Sequence, residues 1–198
     1  MKKVLKWSTG VLIIFLTFIL FFAGDNTKCP TKGDSPQQKL QDLDTLKNRT
    51  IGSTKVVPLS LTDVLKPGDD TKRFTSNTYV KITGYVMLIK YGGAETCNCH
   101  SKDKTQLDIH IELVPDIKNP AATQAMVVEV NRYTRAKDKN MDVDVIKKLK
   151  GKKVEVQGWL FFDEEHKHNA VNTNPKGTFL WRATCWEVHP CLSIKEVE

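Results

Sequence analysis

No GxSxG elbow, Walker A loop, dinucleotide fingerprint, HExxH pair or CxxC redox pair occurs anywhere in the 198 residues. Their absence removes the short signatures of α/β-hydrolases, P-loop enzymes, Rossmann dehydrogenases, zincins and thioredoxin-like proteins. No internal repeat or low-complexity tract is visible, so a solenoid or tandem array is excluded. A strong charge excess is also missing. The formal net charge is +7, and Lys2, Lys3 and Lys6 precede the first apolar run, which leaves +4 for the rest. A mildly basic remainder is a solvated surface before it is a nucleic-acid footprint.

Long apolar runs are scarce too, with one exception at the start. "MKKVLKWSTGVLIIFLTFILFFAGD" opens with lysines and continues apolar from about Trp7 to Ala23. Those 17 residues span about 25 Å as a helix, slightly short of the roughly 30 Å hydrocarbon core. Signal peptide and membrane anchor both fit this pattern. Cleavage after Ala23 or Gly24 would place Phe21 or Phe22 at the third-last position, where a small residue is wanted. Cys29 follows "DNTK", which is no lipidation context. The favoured reading is therefore an uncleaved single-pass anchor over residues 1–24, with the lysines inside and the remainder extracytoplasmic. If the segment is cleaved, the protein is secreted.

Residues 25–74 read as a polar tether with a short amphipathic helix. In "SPQQKLQDLDTLKNRT", Ser35 is placed to cap, Pro36 fits the first helical turn, and Gln38 completes a capping box. Leu40, Leu43 and Leu46 form a stripe for packing on the main domain. From residue 75 the pattern changes to strands. "TYVKITGYVMLIK" is long, with Gly84 marking a bend. "QLDIHIELV" alternates, with Leu107, Ile109, Ile111 and Leu113 on one face and Asp108, His110 and Glu112 on the other. "AMVVEV" is a third strand, "NMDVDVIKKLKG" a helix with acidic start and basic end, "KKVEVQGWLFF" a fourth strand, and "LWRATCWEVH" a fifth.

Three strands, a helix and two strands, the first strand long and glycine-bent, resemble the OB-fold. The expected fold is thus mainly β: a five-stranded OB-like Greek-key barrel over residues 75–198, with one helix between strands three and four. An N-terminal membrane helix and a short helical tether precede it. The segments "GYVMLIKYGGAETCNC", "DIHIELV", "GWLFFDEEHKHNA" and "WRATCWEVHP" further resemble an uncharacterised family of secreted or membrane-anchored bacterial proteins. That resemblance implies no activity, and the fold by itself implies none either.

Chemistry-bearing residues concentrate at strand ends. "DIH" places Asp108 beside His110, "DEEHKH" runs from Asp163 through His166 to His168, and "EVH" places Glu187 beside His189. Neutral imidazole with nearby carboxylates suits zinc or a similar divalent ion, and equally suits acid–base work. His110, His166 and His189 are the candidate catalytic residues, and with Asp108, Asp163 and Glu187 the candidate metal ligands. With the third strand between them, His110 and His189 should stand roughly 10 Å apart unless the barrel curves strongly, since neighbouring strands sit about 4.8 Å apart. The loop carrying His166 would have to bridge them. Trp159 and Trp181 are the candidate exposed aromatics for ligand stacking. Lys81, Lys90, Arg132, Arg135 and Arg182 are the cations available to a phosphate groove.

Five cysteines outside the cytoplasm imply disulfides and one thiol left over. Cys97, Cys99, Cys185 and Cys191 are the candidate bridge partners, with the connectivity open, and Cys29 is the expected odd residue. The favoured function is a membrane-tethered extracytoplasmic binding or assembly module. The alternative is a metal-dependent extracytoplasmic hydrolase, with nucleic acid among its substrates. Expected partners are the membrane, through the N-terminal helix, and a protein or small ligand that the sequence does not name; nucleic acid ranks below these.

The topology is checked by intact-mass analysis of membrane-extracted protein. The anchor reading expects residues 1–24 to be retained; a mature N-terminus near residue 24 would contradict it.

Overall fold

The structure, a computed structural model, describes residues 29–198. The segment read as a membrane anchor lies outside them. Among the described residues no helix is long and apolar enough to cross a membrane.

Six strands form one sheet: β1 (Val57–Pro58), β2 (Tyr79–Tyr91), β3 (Ile109–Val114), β4 (Met126–Val130), β5 (Lys153–Phe162) and β6 (Trp186–Glu196). Their order is β1–β2–β3–β4–β6–β5, and β5 pairs again with β2. That second pairing closes β2–β3–β4–β6–β5 into a five-stranded barrel, with β4 and β6 parallel and the other barrel pairs antiparallel. A helical stretch between β4 and β5 completes the OB-like arrangement. β2 can serve two neighbours because it bends. It pairs with β5 from Tyr79 to Tyr85 and with β3 from Tyr85 to Tyr91, so the partner changes one residue after Gly84. A Cβ on Gly84 would stand 2.7 Å from Leu61 Cδ2, so a larger residue at the bend would push the Leu61 side chain aside.

Alternation sorts the side chains. Val80, Ile82, Val86, Ile109, Ile111, Leu113, Met126, Val128, Val130, Val154, Val156, Leu160, Trp186 and Val188 fill the barrel. The stretch between β4 and β5 holds α3 (Arg132–Lys137) and α4 (Val143–Ile146). Asp142 caps α4, its carboxylate accepting from the Val143 N–H at 2.8 Å. Met141, Val143 and Ile146 belong to the barrel core. α2 (Leu61–Val64) adds Leu61 and Val64 to the same core. Segment 65–73 is latched by the fully buried Asp70. Its carboxylate accepts from Thr184 Oγ1 at 2.6 Å and Asn172 Nδ2 at 2.7 Å, and its carbonyl accepts from the Trp186 indole at 2.7 Å.

Three expectations change. The last strand begins at Trp186 and runs through Pro190 to Glu196, whereas the sequence pattern placed it over 180–189. The backbone from 181 to 183 is committed elsewhere: the N–H groups of Trp181 and Ala183 donate to the carbonyls of Asn169 and Ala125. The first helix, α1 (Gln38–Lys47), starts later than Ser35 implies, with Gln37 at its cap and no capping side chain. Its leucine stripe is only half-buried, and its buried side chains are Asp44 and Lys47. The helix lies on a charged surface, so the polar face is turned inward.

The third change concerns cysteine. Cys29 is bonded to Cys99, and Cys97, Cys185 and Cys191 are buried free thiols. Cys29 is therefore paired, and three of the four expected bridge partners are not. Burial pushes the Cys185 thiol up to about 11 and Cys191 up to about 12, and raises Cys97 well above its ordinary value. Thiols so raised are poor nucleophiles at neutral pH.

The bond spans 70 residues of sequence and ties the start of the described chain to the loop after β2. Alkylation under denaturing, non-reducing conditions should modify the three free cysteines only. Cys29→Ser should lower unfolding free energy by about 2–4 kcal/mol. Mass spectrometry and urea denaturation read both outcomes.

Candidate site: a buried ionic layer and its cleft

The outer face of β3, β4 and β6 should be wet on sequence alone; it is buried. His110 and Glu112 on β3, Glu129 on β4, and Glu187 and His189 on β6 are each 8% exposed or less. The cover comes from α1 and the β2–β3 and β5–β6 loops. Asn131 Nδ2 donates to the Lys47 carbonyl at 2.9 Å, Asn48 Nδ2 donates to the Thr31 and Cys97 carbonyls at 3.0 Å each, and Thr96 Oγ1 donates to Asp44 at 3.1 Å. These contacts place Lys47 over the face, its ammonium 2.8 Å from Glu95 and 5.5 Å from the centre of the Phe161 ring.

Beneath this cover every charge meets an opposite charge. Glu129 bridges two histidines: one oxygen lies 3.1 Å from His110 Nδ1, the other 3.3 Å from His189 Nδ1. The second nitrogen of His110 lies 3.3 Å from Glu112, and that of His189 lies 3.1 Å from Asp108. His189 Nδ1 also meets Glu187 at 3.3 Å. Arg182, fully buried, donates to Glu187 at 2.7 Å and to Asp163 at 2.9 Å. Asp163 in turn holds His166 Nδ1 at 2.5 Å. One path of ion pairs thus runs His166–Asp163–Arg182–Glu187–His189–Glu129–His110–Glu112.

The titration behaviour follows from this pairing. Burial alone would lower both histidines. For His110 the hydrogen bonds to Glu112 and Glu129 outweigh it and push the ring up to about 9. For His189 the Glu129 charge and the bonds to Asp108 and Glu187 push it up to about 10. Both rings are imidazolium at neutral pH, each with both nitrogens donating to carboxylates. Burial also works against Asp163, but the bond from His166 and the Arg182 charge hold it well below the usual carboxylate range. Lys47 rises despite burial because Glu95 and its acidic neighbours favour the ammonium.

The layer opens to solvent beside Trp181. A cleft of about 310 Å³ is lined by Lys47, Lys90, Tyr91, Gly92, Gly93, Glu95, His110, Glu129, Asp163, His166, Trp181 and Glu187. It sits between the β2–β3 and β5–β6 connections, the loop pair that OB barrels use for ligands. Trp181 is its aromatic element. The ring centre lies 5.4 Å from His166 and 5.8 Å from His110, with Arg182 over it at 5.1 Å and Lys90 at 5.7 Å.

Of the candidate residues, His110, His166, Asp163, Glu187 and Trp181 meet in this cleft. His189 and Asp108 lie beneath it, within the layer. The three histidines do not converge on one ion: Glu129 stands between His110 and His189, and His166 is across Trp181. Trp159 is not in the cleft. Its indole donates to the Ile51 carbonyl at 2.9 Å, and the Arg49 guanidinium covers its ring at 4.5 Å. Of the candidate cations, Lys90 and Arg182 come to the site; Lys81 pairs with Glu155, and Arg132 and Arg135 bond backbone carbonyls. Glu129, Lys47 and Glu95 escaped the sequence reading. A single carboxylate inside the apolar run "MVVEV" is the signal that could have found Glu129. Asp108, Glu129 and His189 each offer a ligand atom within 4.8 Å of one another, the closest approach to a metal-ligand set.

No protein-family model and no curated protein matches the chain. Similar solved structures include Entamoeba histolytica asparaginyl-tRNA synthetase, with and without asparaginyl-adenylate. Each is 12% identical, with a TM-score of 0.39, covering 73% of this chain. The chain spans about a quarter of that synthetase, 24%. A second likeness is to yeast Stn1 and Ten1, 12% identical, TM-score 0.38, covering 79% of this chain and 70% of that one. At such scores the likenesses add nothing to what the strand order shows.

Two outcomes follow for the layer. Raised histidines stabilise the fold fully below about pH 6.5, the unfolded value. That contribution declines as pH rises and is gone once pH passes the folded values of about 9 and about 10. Urea midpoints between pH 6 and 10 should fall accordingly, and His189→Asn should flatten the profile. Glu129→Gln, which leaves two imidazoliums facing a neutral amide, should cost about 3–5 kcal/mol at pH 7.

Proposed function

We propose that the protein is a binding module of OB-like fold, tethered at the extracytoplasmic face of a membrane by its N-terminal segment, and that its ligand enters the Trp181 cleft. The reading places it with the secreted or anchored family its segments resemble. One observation carries it: five of the residues singled out by their chemistry, scattered from position 110 to 187, come together around one open cleft between the ligand-binding loops of the barrel. The buried ionic layer acts as its rigid floor. Paired charges on three strands hold Trp181, His166 and Asp163 in one geometry, which is what a binding site needs from its support.

A second reading, a metal-dependent hydrolase, is favoured by the proximity of Asp108, Glu129 and His189. In it a divalent ion such as zinc replaces a ring proton of His189, and Glu187 orients the ring from behind.

Elemental analysis of the purified full chain separates the readings. The binding reading expects no stoichiometric metal. Metal at about one equivalent, with chelator-sensitive turnover of any ester or phosphodiester, would favour the hydrolase. Ligand-observed NMR with mixed nucleotides, oligosaccharides and short peptides then tests the cleft. Binding should fall at least tenfold in Trp181→Ala and stay unchanged in Trp159→Ala; equal loss in both, or no binding at all, would contradict the proposal.

A further inference from the structure

The charges in the cleft divide into two groups. Every carboxylate lining it is neutralised from within: Glu95 by Lys47, Glu129 by His110 and His189, Asp163 by Arg182 and His166, and Glu187 by Arg182 and His189. Toward solvent the lining presents two cationic side chains, Lys90 and the Asp163-paired His166. Lys90 is exposed and has no carboxylate partner among the described residues; its ammonium rests over the Trp181 ring at 5.7 Å. His166 is half-exposed, with Nδ1 fixed by Asp163 and Nε2 without a partner among the described residues. Its bond to Asp163 raises its pKa, so that nitrogen carries a proton to offer. Beside them Tyr91 lines the same cleft, with the Lys104 ammonium 5.7 Å from its ring. An aromatic face flanked by the Lys90 ammonium and by His166 Nε2, neither of which meets a carboxylate among the described residues, matches a planar ring that bears an anion. A lysine seated over a tryptophan marks the place where such a ring would stack.

Resting on the cleft reading above, we infer that the ligand is a nucleoside phosphate. Its base stacks on Trp181 in place of the Lys90 ammonium, and its phosphate is held between Lys90 Nζ and His166 Nε2. The fully buried Arg182, over the same ring at 5.1 Å, keeps the platform fixed. A cleft of about 310 Å³ admits a single nucleotide unit. The chemistry is the same for a free nucleotide and for one residue of a single strand. The whole-chain charge gave no hint of this, because the relevant cations are few and their importance is local.

Tryptophan fluorescence titration of the detergent-purified full chain tests it. The probes are adenosine 5′-monophosphate, adenosine, inorganic phosphate, a ten-residue oligodeoxyadenylate and uncharged maltotriose. The monophosphate should bind at least tenfold more tightly than adenosine. Lys90→Glu, at an exposed position, should remove most of that difference, and His166→Gln should do likewise. Trp181→Ala should weaken both nucleoside probes about tenfold or more. A free nucleotide as the natural source predicts that the oligomer binds no tighter than the monophosphate. A single strand predicts tighter, salt-sensitive binding of the oligomer. Equal affinity for monophosphate and adenosine would overturn the inference, as would indifference to Lys90→Glu. If maltotriose binds in a Trp181-dependent way and the monophosphate does not, the cleft stands and the nucleotide falls. If no probe binds, both fall.

Discussion

One carboxylate, Glu129, holds two strands' worth of histidine in place. It sits on β4 between β3 and β6, and each of its oxygens takes a ring nitrogen, one from His110 and one from His189. Two positive rings flank one negative group in a region shut off from water, so each ion makes burial of the next affordable. Arg182 repeats the device with opposite sign, one guanidinium between Glu187 and Asp163. Remove either centre and a charge is left buried without its complement, which is far costlier than never having had the pair. The barrel therefore carries two cores. The inner one is apolar and follows from alternation; the outer one is ionic and depends on exact pairing.

The ionic core explains the shape of the rest. α1 packs with Lys47 and Asp44 inward because the surface beneath it is charged. The Cys29–Cys99 bond and the Asn48 and Asn131 side chains keep that helix and the β2–β3 loop in register with the face they cover. Where the cover stops, between that loop and the β5–β6 connection, the same network surfaces as Trp181, His166 and Lys90. A site built on paired charges cannot relax easily, which suits recognition by a preorganised surface.

The barrel was legible because its signals are local. Alternation in "DIHIELV", Gly84 inside a long strand, and the acidic start and basic end of the helix near residue 143 each report on neighbours a few residues away. The ionic layer was half-legible: "DIH", "DEEH" and "EVH" named six of its members, Asp108, His110, Asp163, His166, Glu187 and His189, but as exposed strand ends. Their burial depends on α1, some 60 residues before His110, and its leucine stripe pointed to an apolar face, whereas its buried side chains are Asp44 and Lys47. Lys47 reads as an ordinary basic residue at a helix end, and Glu129 as a solvent-facing strand position. The cysteine pairing was misread for a related reason: Cys29 was assigned to a free tether, whereas the tether is part of the cover.

Nitrogen-15 NMR of the histidine rings tests the ionic layer most directly. If Glu129 and its neighbours hold two imidazoliums, His110 and His189 will show both ring nitrogens protonated at pH 8, where an ordinary histidine is neutral. A ring with one bare nitrogen at that pH, or one whose nitrogen shifts on adding a divalent ion, would mean that the layer is not a set of paired charges.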